Sequence, residues 1–587
     1  MRLIGRVTLF ALAAIGLLTL GLFLIVGAAA ARHQQPPLPN QMVLMLDLDA
    51  GLVEAQPEGP FAKLGNNGYT LQQVVQTLDR AANDPRVTGL VARIDDVHLG
   101  IAKAQELRDA VADFRKSGKR TVAYSTSLGE GGPGTSAYYT ASAFQEIWLQ
   151  PSGDVGLTGF MVESPFLKDV FDKVGVQPQF GARWEYKSAI ETFTQNKFTK
   201  ENRDSMTQLL DSWNRQVTGG IAQARGLKPD EVKALIDRSP LLAEEAQKAK
   251  LVDKLAYWDD MHDSLTAKGN KLIDLAEYAS RLPPEPNAVK VALIYGVGTV
   301  QRSGGEDNPL SDEVVFSSER IGKAFRDAVK DPEVKAILFR IDSPGGSYTA
   351  ADAVWREVVN ARAAGKPVIV SMGDLAASGG YFAAMPADRI IAQPGTITGS
   401  IGVFSGKFVM AELWKKLGVN WDEIHMGQNA NMWSSNQPFT QAGWDRLNFI
   451  LDRIYGDFTT KAERARNITP EQMDKLARGR IWPGELAQKN GLVDEVGGYA
   501  TAFADIRKLA RLPSQMPLEL EQFPKPRDPF DVLMEMLRTG HVPADLSASV
   551  GALHQLSKIE AALRPVTSLL KADGQAELMM PPVKVQE

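Results

Sequence analysis

The 587-residue chain contains no cysteine, which excludes disulfides, thiolate nucleophiles and cysteine-ligated zinc without fixing the redox compartment. Histidine is scarce. The six that occur (His33, His98, His262, His425, His541 and His554) form neither an H-x-x-x-H nor an H-E-x-x-H pair, so no metal or other cofactor is expected. A surplus of positive charge is missing as well. The net charge is -5, and no basic patch carries interleaved aromatics, which sets nucleic acid aside as a partner.

What is present is an ordinary globular composition, 44% apolar and 23% charged, in a chain long enough for two or three domains. Arg2 and Arg6 precede an apolar run, Val7 to Ala31, interrupted only by threonines and glycines. As a helix this run spans about 37 Å at 1.5 Å per residue, more than the roughly 30 Å hydrocarbon core of a bilayer. It reads as an uncleaved single-pass anchor with residues 1–6 cytoplasmic; the alternative is cleavage in the small-residue stretch Gly27 to Ala31. The body would then lie outside the cytoplasm, in the periplasm of a Gram-negative cell, joined to the inner membrane by a proline-containing tether, 32–40.

The rest of the chain is written twice. Asp84-Pro85, Arg93-Ile94-Asp95 and Gly118-Lys119 recur 247 residues later as Asp331-Pro332, Arg340-Ile341-Asp342 and Gly365-Lys366. Further on the offset settles at 243, where Pro151, Gly156, Gly159 and Gly175-Val176 meet Pro394, Gly399, Gly402 and Gly418-Val419. One unit is duplicated, the first copy over 41–282 and the second over 283–512, joined through the proline-rich 282–287. The stretch 513–587 is proline-rich and shows no counterpart in the first copy. Within each copy, apolar strand-length runs (Val43–Leu48, Val291–Tyr295, Ala336–Ile341, Pro367–Ser371) alternate with helix-like stretches (Tyr348–Ala364, Asn202–Gln223, Arg446–Ala465). The alternation predicts an α/β fold of parallel βαβ crossovers.

The copies differ where chemistry would sit. Ser343-Pro344-Gly345-Gly346 stands opposite Asp96-Val97-His98-Leu99, and Ala377-Ser378-Gly379-Gly380-Tyr381 opposite Gly134-Thr135-Ser136-Ala137-Tyr138. Conversely, Lys187 of Tyr186-Lys187-Ser188-Ala189 faces Ala430. Taken alone, Ser343–Gly346 reads equally as a tight strand-to-helix turn, Ser378 as a helix N-cap and Lys187 as a solvated lysine. A nucleophilic serine needs a base. Histidine is poorly supplied, His425 standing outside any acid–base pattern and His98 in a loop. A buried lysine is the other option, since desolvation lowers its pKa. Lys407 competes for that role.

Leu338–Gly346, Met372–Tyr381 and Thr398-Gly399-Ser400-Ile401-Gly402 together resemble the signal peptide peptidase A family, the S49 serine peptidases, in its long duplicated form. The resemblance implies two tandem crotonase/ClpP-like α/β domains after the transmembrane helix. It implies Ser378 as nucleophile, Lys187 as general base, Ser400 orienting the lysine, and Gly379 with Gly345 or Gly346 as oxyanion donors. It further implies remnant signal peptides as substrates and a homotetramer. Two other classes share part of the pattern, a crotonase-type acyl-CoA enzyme and an inactive membrane scaffold.

Overall fold

The computed structural model describes residues 37–56, 68–95, 97, 99–303, 315–525, 577–580 and 584–586. The expected anchor, Val7 to Ala31, lies outside the described residues, as does His98. Among the described residues no helix is long and apolar enough to cross a membrane.

In the first half, strands β1 (Met42–Asp47), β2 (Val87–Arg93), β3 (Arg120–Ser125) and β4 (Glu146–Leu149) alternate with helices α1 (Leu71–Asn83) and α2 (Ile101–Arg115). Strand β5 (Gln177–Arg183), the long helix α3 (Lys200–Arg225) and strand β6 (Lys271–Asp274) follow. The sheet runs β4-β3-β2-β1-β6 with every pair parallel, and Lys254–Leu255 extends it beyond β4.

The second half repeats this plan. Strands β7 (Val289–Val297), β8 (Ala336–Ser343), β9 (Gly345–Ser347), β10 (Val368–Ala377), β11 (Ile397–Gly399) and β12 (Val403–Val409) are interleaved with α4 (Tyr348–Ala363) and α5 (Gly379–Ala384). The long helix α6 (Gln441–Arg466) and strand β13 (Leu518–Phe523) complete it. β13 pairs with β7 in parallel, as β6 pairs with β1. The repeat therefore reaches Phe523, which corrects, for this segment, the expectation that 513–587 has no counterpart in the first copy. The edge strand carries little signal in the sequence, because Leu518–Phe523 is half polar and shares no motif with Lys271–Asp274.

The unbroken apolar runs have a direct physical reason. Along β7 and β8, Val291, Leu293, Ala336 and Leu338 face the core that contains the first half, while Ala292, Ile294, Ile337, Phe339 and Ile341 face the second half's own core. Side chains alternate across a strand, so a sheet covered on both faces must be apolar at every position. The two halves thus share a core along the inner face of the second sheet.

A third sheet crosses between the halves. β5, from the first half, pairs antiparallel with β12, from the second, in the register Val403↔Arg183 through Val409↔Gln177. On the other edge of β12, strand β14 (Glu577–Met579) links it to β9.

Candidate active site

β10 ends at Ala377 and α5 begins at Gly379. Ser378 sits in the corner with φ 56° and ψ -112°, a conformation that an L-residue adopts only under constraint from its surroundings. Its N–H donates to the Gly399 carbonyl at 2.8 Å, and its carbonyl accepts the first helical bond, from Phe382, at 2.8 Å. The side chain is fully buried. Gly379 opens α5, so its N–H has no acceptor within the helix. A Cβ on Gly380 would stand only 3.0 Å from the Ser343 carbonyl oxygen, which is why the residue after the turn must be small.

The pairing of β5 with β12 delivers Lys187 to this corner. Past Arg183 the chain is held by the backbone of 478–479: the N–H groups of Trp184 and Tyr186 both donate to the Arg478 carbonyl, at 3.2 and 3.1 Å. Gly479, at φ +87°, lies so close to the Lys187 backbone that a Cβ there would overlap it. The Arg480 guanidinium covers the Tyr186 ring and donates to its hydroxyl at 2.7 Å.

The lysine side chain ends among three oxygens. Lys187 Nζ stands 2.7 Å from Ser378 Oγ, 3.0 Å from Ser400 Oγ and 3.0 Å from the Ser400 carbonyl. Lys187 is 2% exposed, and Ser378 and Ser400 are wholly buried. Among the described residues no ion pair reaches its amine, and burial alone pushes its pKa well below the usual lysine value. Desolvation penalises the charged form, and hydroxyl and carbonyl neighbours do not restore it. A neutral amine against a serine hydroxyl can accept that hydroxyl's proton.

Of the residues singled out from the sequence, Ser378, Lys187 and Ser400 converge. Gly379, Gly345 and Gly346 lie on the turns around them. The Gly345 N–H donates to Ser343 Oγ at 3.2 Å, so one of the expected oxyanion donors is engaged within its own turn. Lys407 is directed elsewhere: its amine donates to the carbonyls of Met432 and Ser434, each at 2.8 Å, and lies over the Phe439 ring. Burial lowers its pKa to about 8. His425 lies on the exposed surface beside Glu423.

The model of peptidase family S49 matches residues 113–272 and 360–513, one stretch in each half. The chain belongs to peptidase family S49. Among relatives of the S49 chain, the chloroplastic serine protease SPPA of Arabidopsis thaliana is 32% identical over 78% of this chain and 69% of its own length. Protease 4 of Salmonella typhi is 30% identical over 86% of this chain and 81% of its own, and Protease 4 of Haemophilus influenzae 31% identical over 81% and 80%. A ClpP1 mutant from Listeria monocytogenes superposes on 35% of the S49 chain, covering 90% of its own length, with 15% identity and a TM-score of 0.23. The S49 chain is a serine peptidase of mixed α/β fold.

Two features of its site were not anticipated. One is the 478–480 backbone that seats Lys187, which no residue type advertises beyond the glycine at 479. The other is β14: Met579 lies opposite Gly345 and Leu578 opposite Gly346, and the Met580 N–H donates to the Pro344 carbonyl at 2.8 Å. Met579 is buried against the aromatic cluster of Phe171, Phe180, Phe193, Phe404 and Phe408. The chain's own C-terminal segment thus lies as an extended strand along the glycine turn beside Ser378.

Proposed function

We propose that this S49 peptidase is a membrane-anchored serine endopeptidase in which Ser378 is the nucleophile and Lys187 the general base, acting through an acyl-enzyme on remnant signal peptides and other unfolded apolar peptides. The observation that carries the reading is the 2.7 Å separation of Lys187 Nζ from Ser378 Oγ, with no charged partner at the amine among the described residues. Neutral Lys187 takes the hydroxyl proton as Oγ attacks the substrate carbonyl. The oxyanion forms against the Gly379 N–H, at a helix start where fixed dipoles favour negative charge, with Gly346 as the second donor, because the Gly345 N–H is already given to Ser343 Oγ. The resulting ammonium gives its proton to the departing amine, the peptide bond breaks and an ester to Ser378 remains. Lys187 then takes a proton from water, whose oxygen attacks the ester, and returns it to Oγ as the acyl–oxygen bond breaks and the product acid leaves. Ser400, through its hydroxyl and carbonyl, holds the amine on line throughout.

An extended substrate fits this site by strand addition. β14 supports that mode, since it shows that the edges of β9 and β12 accept a strand and that apolar side chains fill the adjoining cluster. The crotonase/ClpP-like character of the halves, the periplasmic position of the body and a homotetramer belong to the same reading. For assembly, the internal repeat is suggestive. By the 243-residue offset, β5 corresponds to 420–426, a segment without a strand whose Trp421, Ile424 and Met426 are 61%, 98% and 93% exposed. That segment would pair with a second copy as β5 pairs with β12, a head-to-tail contact of the kind that builds a ring when its rotation closes.

The test is labelling with a serine-directed fluorophosphonate. Wild type is expected to label at Ser378 and to cleave short apolar peptides, with both lost in Ser378→Ala. Equal turnover by Ser378→Ala and wild type would refute the assignment.

A further inference from the structure

Behind the nucleophile strand, six charged side chains cross the seam between the halves. From the first half come Glu54, Lys103 and Glu106; from the second come Arg340, Asp342 and Asp374. Arg340 is fully buried and donates to Glu54 at 2.9 and 3.0 Å, to Glu106 at 2.9 Å and to Ser371 Oγ at 2.7 Å. This part of the network is a plain buried ion pair set. The part around Lys103 is different, because of what its two carboxylates are attached to.

Lys103 Nζ lies 2.9 Å from Asp342 and 3.1 Å from Asp374, with Glu54 at 4.0 Å. Burial works against its charge, but the pull of Asp342, Asp374 and Glu54 outweighs it and raises its pKa, so Lys103 is an ammonium. Asp342 immediately precedes the Ser343–Gly346 turn, and Asp374 lies four residues before Ser378 on β10, about 13 Å along an extended strand. Between these two residues the β8–β10 ladder breaks: Ile341 pairs with Met372, and the next pair is Ser343 with Ala376. Inside the bulge, the Asp342 carboxylate accepts the Leu375 N–H at 2.9 Å. Bulges bend a strand and re-aim the side chains that follow. Here the residues that follow are the glycine turn on one strand and Ser378 on the other.

The first half grips this bulge by more than one bond. Asp374 accepts the Lys103 backbone N–H at 3.1 Å, so it caps α2 from across the seam, where the N-cap residue Gly100 has no side chain to do so. A Cβ at Gly100 would collide with the Asp374 carboxylate. By the 247-residue offset, Gly100 and Lys103 correspond to Ser347 and Ala350, at the start of α4 just beyond the second copy's glycine turn. The helix start that follows the lost glycine turn in the first copy serves here as a brace for the turn that was kept.

We propose that Lys103 is a positioning residue of the reaction: by neutralising Asp342 and Asp374 together, it holds the bulge that sets the spacing between the Ser343–Gly346 turn and Ser378. The first half therefore supplies both the amine that takes the proton and the ammonium that keeps the oxyanion donors in register. This rests on the Ser378/Lys187 reading above. Without Lys103 the bulge loses the cation that ties Asp342 and Asp374 to each other and to α2, and the turn and the serine are no longer held at one spacing.

The experiment compares full-length wild type with Lys103→Met, with the charge-balanced double variant Lys103→Met/Asp374→Asn, and with Lys103→Arg. It measures kcat and KM on a short apolar peptide, the fluorophosphonate labelling rate, the pH–rate profile and the melting temperature. Expected for Lys103→Met is a 10- to 100-fold loss in kcat and in labelling rate with KM within twofold. The acid limb of the pH profile is expected not to move, because Lys187 is untouched, and Lys103→Arg is expected to recover part of the loss. If Lys103→Met fails to fold, the double variant, which leaves no unpaired carboxylate at Asp374, carries the same expectation. Kinetic constants within twofold of wild type in a folded variant would overturn the proposal, as would a loss confined to KM or a displaced acid limb. Should wild type itself fail to label at Ser378, it is the dyad reading that falls, so the two failures are distinguishable.

Discussion

Gly479 packs its Cα against the backbone of Lys187, with no room for a methyl group between them and with φ at +87°. Lys187, the proposed base, is therefore seated by the absence of a side chain on a segment nearly three hundred residues away. Gly479→Ala is expected to lower kcat by about tenfold or more, because both the left-handed backbone and the contact are lost. Peptide turnover together with fluorophosphonate labelling checks it, and wild-type rates in the variant would show that Lys187 is held by other means.

Lys187→Met removes the proton acceptor while keeping most of the side chain's volume. The expected loss in acylation rate is about 10²–10⁴-fold, the usual range for a positioned base. Single-turnover labelling reads this step without interference from deacylation.

The same lysine sets the direction of the pH dependence. Burial lowers its pKa, so activity is expected to be full where the amine is neutral and to fall on acidification as it charges. The stability term has a definite sign. Between the lowered folded value and the unfolded value of about 10.4, the unfolded chain binds more protons, so this group's contribution to stability rises with pH. Lys187→Met is expected to gain stability relative to wild type as pH falls through that window. Denaturant titrations of both proteins at several pH values measure it, and parallel curves would count against a neutral lysine.

Arg340 joins two carboxylates from the other half with no exposure of its side chain. Arg340→Met leaves Glu54 and Glu106 buried without their cation, and removing one partner of such a set costs about 3–5 kcal/mol. Chemical denaturation should show this loss. A change under 1 kcal/mol would mean that the carboxylates take up protons or water instead.

Met579 anchors β14 in the aromatic cluster beside the glycine turn. Truncation before Glu577 is expected to lower KM for added apolar peptides several-fold while leaving the pH profile in place, since a strand already in the slot competes with substrate. An unchanged KM would indicate that peptides approach along another edge.

How much of this was readable in the residues depended on whether a feature was local. The βαβ alternation was legible because strands covered on both faces must be continuously apolar, and Ala336–Ser343 could hardly be anything else. Ser378 and Lys187 stood out because each copy keeps one of them and has lost the other, and family resemblance supplied their roles. Glu54 and Arg340 could not be paired in advance. They lie 286 residues apart, and a charged residue inside an apolar strand names no partner. β13 and β14 were not legible for a related reason: β13 is a short edge strand and β14 a three-residue link between β9 and β12, each defined by the neighbours it joins rather than by a pattern of its own.

The antiparallel pairing of β5 with β12 has a consequence for the newborn chain. The amine is translated 191 residues before the hydroxyl it must meet, and the sheet that unites them needs strands from both halves. A ribosome that has finished only the first half has made a lysine with nothing to activate. If Ser378 and Lys187 act as proposed, proteolytic power arises only after the second half has been made, and a cut within 283–287 is expected to leave two fragments that are each chemically silent until they find one another again.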